Sequence, residues 1–223
     1  MRSYLASARR ADLLTRLCLQ RQMTSLIECQ IAVAATEFED NRENWVRMWI
    51  DPAQVVHGEC GLVTAHRGIS HEGQLLWLVR HRDKAQGYHA TPDDPVEAIA
   101  QARHAWAERR RVRQRWGEVE MLARAARAGR YRQIVQIEDA YASPLCETGV
   151  RAFMTRIGLG RFTRPGVGRM SARNVGHLMR IEPQVGFVLM AAFERRHGTR
   201  PVSAVLSLSQ GRRARGIGLR ASS

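Results

Sequence analysis

The sequence holds a single lysine, Lys84, among 35 cationic side chains. That ratio reads as the mark of a GC-rich genome rather than of selection for guanidinium chemistry. Cysteine is scarce as well. Cys18, Cys29, Cys60 and Cys146 lie far apart and form no CxxC, which excludes a disulfide framework and favours free thiols in a reducing cytoplasm. No run approaches the ~18 apolar residues that a membrane-spanning helix requires, so no membrane partner is expected. The N-terminus lacks the continuous apolar stretch of a secretory signal. Catalytic signatures are missing too: there is no GxSxG, no HExxH and no Gly-Lys-Ser/Thr phosphate loop. The adjacent carboxylates Asp93–Asp94 and Glu138–Asp139 fall where helix starts explain them. No catalytic residue, metal ligand or cofactor is assigned, and an enzyme is the lesser expectation.

What is present is ordinary globular material. Hydrophobic residues make up 44% of the 223, enough for a sizeable core in one or two domains. The charge is less ordinary, at a formal +14. Residues 1–100 carry 11 basic and 13 acidic side chains, whereas residues 101–223 carry 24 and 8. The excess therefore belongs wholly to the C-terminal half. Such asymmetry favours a polyanionic partner, nucleic acid first of all, against the plainer reading of a solvated surface.

Four regions follow along the chain. Residues 1–50 form an N-terminal segment, helical or mixed. Its first 22 residues carry five arginines against Asp12. They read as a transit-peptide-like stretch, as a basic helix with Leu13, Leu14 and Leu17 on one side, or as residues preceding a start at Met23. Residues 23–50 are ambiguous: Met23, Leu26, Ile27, Ile31, Ala34 and Phe38 fit a helical stripe and Ile27, Cys29, Ile31, Val33 and Ala35 a strand alternation, with length favouring the helix. Asn44–Ile50, with Trp45 and Trp49 on one face, reads as a helix broken by Asp51–Pro52.

Residues 51–132 read as a β-β-β-α unit with a basic helical connector. Val55–His66, Gln74–His81 and Tyr88–Ala90 are the expected strands, with Arg67–Gly73 as a turn. Gln74–His81 is apolar on both faces and is expected in the sheet interior. Asp94, Pro95 and Glu97 have helix-start grammar, and residues 95–128 make one helix or two joined near Gly117.

Residues 133–199 read as a compact helical domain. Ser143 caps and Pro144 starts a helix whose residues Cys146, Val150, Phe153, Met154 and Ile157 form a stripe, closed by Gly158 and Leu159 in a Schellman pattern. Ser171 caps a further helix. The last helix, ending at Gly198, is apolar nearly all round and so belongs in a core. Residues 200–223 form a basic Gly/Arg tail, with one strand allowed at Val202–Leu208 and the remainder expected to be disordered when free. The fold class expected is α+β: a small antiparallel sheet with a packed helix, then a helical domain whose cap-and-turn grammar is compatible with a helix-turn-helix-like module.

Three sets of residues are candidates for function. His57, Cys60, His66 and His71 have zinc-type donors, but the spacing from Cys60 to His66 is too short for a finger, and histidines on a sheet surface, joined by His81 and His89 across a hairpin, explain them better. The loop GLGRFTRPGVGRM offers glycine amides and the cations Arg161, Arg164, Arg169 and Arg173 around a helix start, a pattern suited to phosphate. Arg109, Arg110 and Arg113 on the connector, and Arg212, Arg213 and Arg215 in the tail, extend the candidate nucleic-acid-binding set. The expected function is non-enzymatic nucleic-acid binding, DNA preferred over RNA, of the kind a regulator or accessory factor of a mobile element performs. An assembly component with an acidic protein partner is the second reading, and a small metal-dependent enzyme the third.

Overall fold

The computed structural model describes residues 2–18, 28, 30, 32, 35–39, 46–58, 61–84 and 86–207. The fold is α+β, in two compact units, Met1–His104 and Ala105–Ser223. The first unit is built on an antiparallel meander of five strands in sequence order. These are β1 (Glu37–Glu39), β2 (Met48–His57), β3 (Val63–Ser70), β4 (Leu75–His81) and β5 (Tyr88–Ala90). Alternation along the paired strands sets Trp49, Ile69 and Leu75 on one face and Met48, Ile50, Leu76 and Leu78 on the other. Helix α1 (Arg2–Cys18) lays Leu13, Leu14 and Leu17 on Trp49 and Ile69. Each leucine so buried contributes about 1.5–3 kcal/mol, which is what seats an otherwise basic helix on the sheet. Strand β4 lies between β3 and β5, the interior place its two apolar faces predict.

Several local readings of the sequence are corrected. Val55–His66 is not one strand: Val55–His57 ends β2 and Val63–His66 opens β3, and the two pair antiparallel. The helix expected to start at Ser143–Pro144 begins at Glu147, with Cys146 as its N-cap. The stretch ending at Ile50 was expected to be helical, but Met48–Ile50 opens β2, which continues through Asp51–Pro52 to His57. Proline is tolerated there because the register with β3 shifts between Ile50 and Val55, so its missing N–H falls at an irregularity in the ladder. The buried Asp51 fills the gap, accepting from the Ala53 amide at 3.0 Å and from Gln54 Nε2 at 2.7 Å.

The expected turn at Arg67–Gly73 is also shorter than its composition suggests, since Arg67–Ser70 belongs to β3. Gly68 is there for close approach: a Cβ on it would sit 2.2 Å from Met48 Cε and 2.7 Å from the Trp49 carbonyl oxygen. Arg67 is buried, with its guanidinium 5.2 Å from the Trp77 ring centroid and donating to Asp93 at 3.1 Å.

Helix α2 (Pro95–Gln114) starts where the sequence places it, with Asp94 Oδ1 accepting from the Val96 amide at 2.9 Å. The boundary between the units falls within it. The helical pattern breaks at Arg115 and resumes as α3 (Trp116–Arg127), so two helices are present. After α3 come β6 (Ile134–Gln136), α4 (Ile137–Ala142), α5 (Glu147–Arg156), a 3-10 turn (Gly160–Thr163), β7 (Arg169–Ser171), α6 (Ala172–Leu178) and α7 (Val185–His197).

Helix α7 is the core helix of the second unit and is buried from Val185 through Met190 and again at Ala192 and Phe193. Gly186 lets α3 come close, since a Cβ there would lie 2.8 Å from Val119 and 2.9 Å from Trp116. Trp116 meets Phe187 edge-on at 5.3 Å. The end of α5 has the predicted Schellman bonds, Leu159 N to Met154 O at 2.7 Å and Gly158 N to Thr155 O at 3.1 Å. Residues 202–207 are helical, not a strand. Val202 is fully buried and its amide donates to Glu118 at 3.1 Å, which ties this segment to α3.

Candidate nucleic-acid interface

The acids of the second unit are engaged within the unit. Glu194 on α7 takes a two-pronged donation from Arg111, 2.9 Å on each prong, and a third from Arg115 at 2.7 Å. Arg115 also forks onto Glu118, and Arg111 reaches Glu108 at 2.8 Å. The Arg111 hydrogen bonds hold the Glu194 carboxyl below its usual value, against the opposing effect of burial. Asp139 is buried and accepts from Arg195 at 2.5 and 3.1 Å and from the Gln136 amide at 2.7 Å. Glu147 pairs with Arg151, and Glu120 with Arg124.

The surplus arginines are left on the surface. Arg110 and Arg113 are exposed on α2 and have no ion pair among the described residues. Arg109 differs: it is half-buried and its Nε donates to the Pro144 carbonyl at 2.9 Å, which positions the chain between α4 and α5. Arg161, Arg164, Arg169 and Arg173 are all exposed and come from one folded segment running from the 3-10 turn to α6. Arg161 lies over the Phe162 ring at 4.8 Å. Arg212, Arg213 and Arg215 lie outside the described residues.

The glycine loop is a fixed piece of structure rather than an open cradle. Tyr141 donates to the Thr163 carbonyl at 2.5 Å, and the Ile137 amide to the Gly168 carbonyl at 2.8 Å. The Gly166 amide is engaged by Glu138 at 2.5 Å, and the Asn174 amide by Ser171 Oγ at 3.2 Å. These two amides, and that of Gly168, which donates to the Arg164 carbonyl at 3.2 Å, thus have partners in the chain. What this segment presents outward is guanidinium. Reading the sequence alone missed Arg130, Arg180, Arg196 and Arg200, which are also exposed and have no ion pair among the described residues. Their significance appears only after the acids have been matched to their arginines. Burial, then Arg196 and Arg200, push the His197 imidazole below its usual value.

The histidines of the first unit do not converge. Among the described residues no group of three or more His, Cys, Asp or Glu gathers as a metal site, and Cys60 lies outside them. His66 Nε2 is 3.1 Å from Thr64 Oγ1, and His71 stacks on Trp49 at 6.3 Å. His81 and His89 do not meet across the hairpin: opposite Val63 and Leu78 respectively, they belong to opposite faces of the sheet, and His89 is buried. No described helix is long and apolar enough to cross a membrane. Comparison with protein-family models, with curated proteins and with solved structures finds no match.

Proposed function

We propose that the chain is a nucleic-acid-binding protein without catalytic activity, of the kind that regulates or assists a mobile element, and that Arg–phosphate contacts supply most of its affinity. The observation that carries this is the disposition of charge in the second unit. Its carboxylates are engaged in ion pairs and caps, while Arg110, Arg113, Arg161, Arg164, Arg169 and Arg173 face solvent. Solvated cations outside carboxylate ion pairs remain available to a polyphosphate and release its counterions on binding. An acidic protein is the second partner that such a surface fits.

The test is binding of the full chain to duplex DNA, single-stranded DNA and RNA across a salt series. With about six phosphates neutralised, the log–log slope on duplex DNA is expected near −5. Negligible binding at low salt removes the reading, and pull-down after nuclease treatment then looks for the acidic protein.

A further inference from the structure

We infer that α4, the turn 143–146 and α5 form a helix-turn-helix in which α5 enters the major groove of duplex DNA. This rests on the nucleic-acid reading above and gives it an element and a groove. A helix-turn-helix needs two packed helices, a turn of three to four residues and a second helix with an uncovered face. Here α4 ends at Ala142, α5 begins at Glu147, and the two helices pack together. The turn is fixed from both sides. Ser143 Oγ donates to the Ala140 carbonyl at 2.6 Å, and Arg109 holds the Pro144 carbonyl at 2.9 Å. Cys146 starts α5, its carbonyl accepting from the Val150 amide at 3.0 Å. Gly149 permits the tight entry, since a Cβ there would lie 2.8 Å from Cys146 Sγ.

Helix α5 buries Thr148, Val150 and Phe153 and leaves Arg151 and Thr155 exposed one turn apart on one side beyond Thr148, with Arg156 exposed on another. Besides α4, it packs on the 3-10 turn that follows it. Ten residues give a rod about 15 Å long and, with side chains, about 10–12 Å across, a diameter that fits a major groove about 12 Å wide. Arg151 sits one turn into the helix, where a recognition helix meets base edges, and Thr155 lies a turn further on the same face. Arg151 pairs with Glu147 and lies over the Tyr141 ring at 5.9 Å. An exposed pair of this kind contributes little and can be exchanged for a base contact. The segment after α5 is bound back onto α4 through Tyr141, Glu138 and Ile137, and β7 pairs with β6 immediately before α4. The exposed Arg161, Arg164 and Arg169 are thereby held in the segment next to the recognition helix, placed for phosphates at the groove edges. The deep, narrow major groove of A-form RNA does not admit a helix, so the partner is DNA.

The experiment is selection of binding sites from a random duplex DNA pool by the full chain, followed by the R151Q/T155A variant on the selected site and a scrambled one. A discrete selected motif is expected. The variant is expected to lose about ten-fold or more of its preference for that motif, with an unchanged melting temperature and a similar affinity for the scrambled site. An unaltered preference, a wild-type chain that enriches no motif, or equal affinity for duplex RNA overturns the helix-turn-helix assignment while leaving nucleic-acid binding in place. No binding to any nucleic acid at low salt overturns both.

Discussion

Single residues set the geometry of the candidate interface, and glycine has two opposite roles in it. A Cβ on Gly168 would lie 1.9 Å from the Phe162 carbonyl oxygen and 2.8 Å from Ile137 Cβ. The first of these is backbone and cannot swing aside, so Gly168→Ala is expected to cost about 2–3 kcal/mol in denaturant unfolding. Gly117, inside α3 with open space around it, is the control, and Gly117→Ala is expected to stabilise by up to about 1 kcal/mol.

Glu194 supplies a pH signature. Its carboxyl is held below the ordinary glutamate value, chiefly by the Arg111 hydrogen bonds. Its contribution is thus fully present above that ordinary value, near pH 4.3, and is lost as the pH falls through the lower folded value. Thermal melts should show wild-type stability dropping more steeply below about pH 4.3 than in Glu194→Gln, with the two differing by about 1 kcal/mol at neutral pH. Equal slopes would remove the Arg111–Glu194–Arg115 cluster from the account of acid stability.

Among the elements, α7 bears most of the packing in the second unit. Leu189 is fully buried on it, and Leu189→Ala is expected to cost about 2–5 kcal/mol by leaving a cavity. Helix α5 depends less on its own core than on its two ends, the Cys146 start and the Gly158–Leu159 closure. The closure was legible because caps are local chemistry; the start was not, since Ser143–Pro144 has helix-start grammar but Ser143 turns its Oγ onto the Ala140 carbonyl and the helix begins only at Glu147. Strand β2 was not legible at its start. Trp45 and Trp49 repeat at helical spacing, yet Trp49 pairs with Phe38 on one side and Ile69 on the other. Partners distant in sequence overruled a local period. The same holds for Arg67 and Gly68, whose polar and small side chains resemble a turn until the Trp77 ring and the Met48 side chain are placed against them.

For the molecule as a whole, the charge surplus is the property that binding should report. The helix at 202–207 is anchored by Val202, so removing the basic tail cleanly means ending the chain at Ser207 rather than before Pro201. The shortened chain should melt at the same temperature. Its salt slope on duplex DNA should be smaller by up to about 3.6, as the tail's four arginines Arg212, Arg213, Arg215 and Arg220 drop out. An unchanged slope would confine binding to residues 1–207.

The amino-acid sequence by itself determined the α+β class, the interior position of β4, the helix starts at Asp94 and Ser171, the end at Gly158 and the confinement of positive charge to the second half. Each follows from short-range chemistry or from composition, which need no knowledge of the fold. Tertiary structure decided which arginines are engaged by acids, that the glycine loop is closed onto α4, and that Arg109 holds a turn rather than facing a ligand. Those outcomes depend on contacts such as Arg111–Glu194, Arg195–Asp139 and Gly166–Glu138, which join residues 83, 56 and 28 positions apart. A guanidinium looks the same in sequence whether it faces a carboxylate or water, and only the packed chain distinguishes the two.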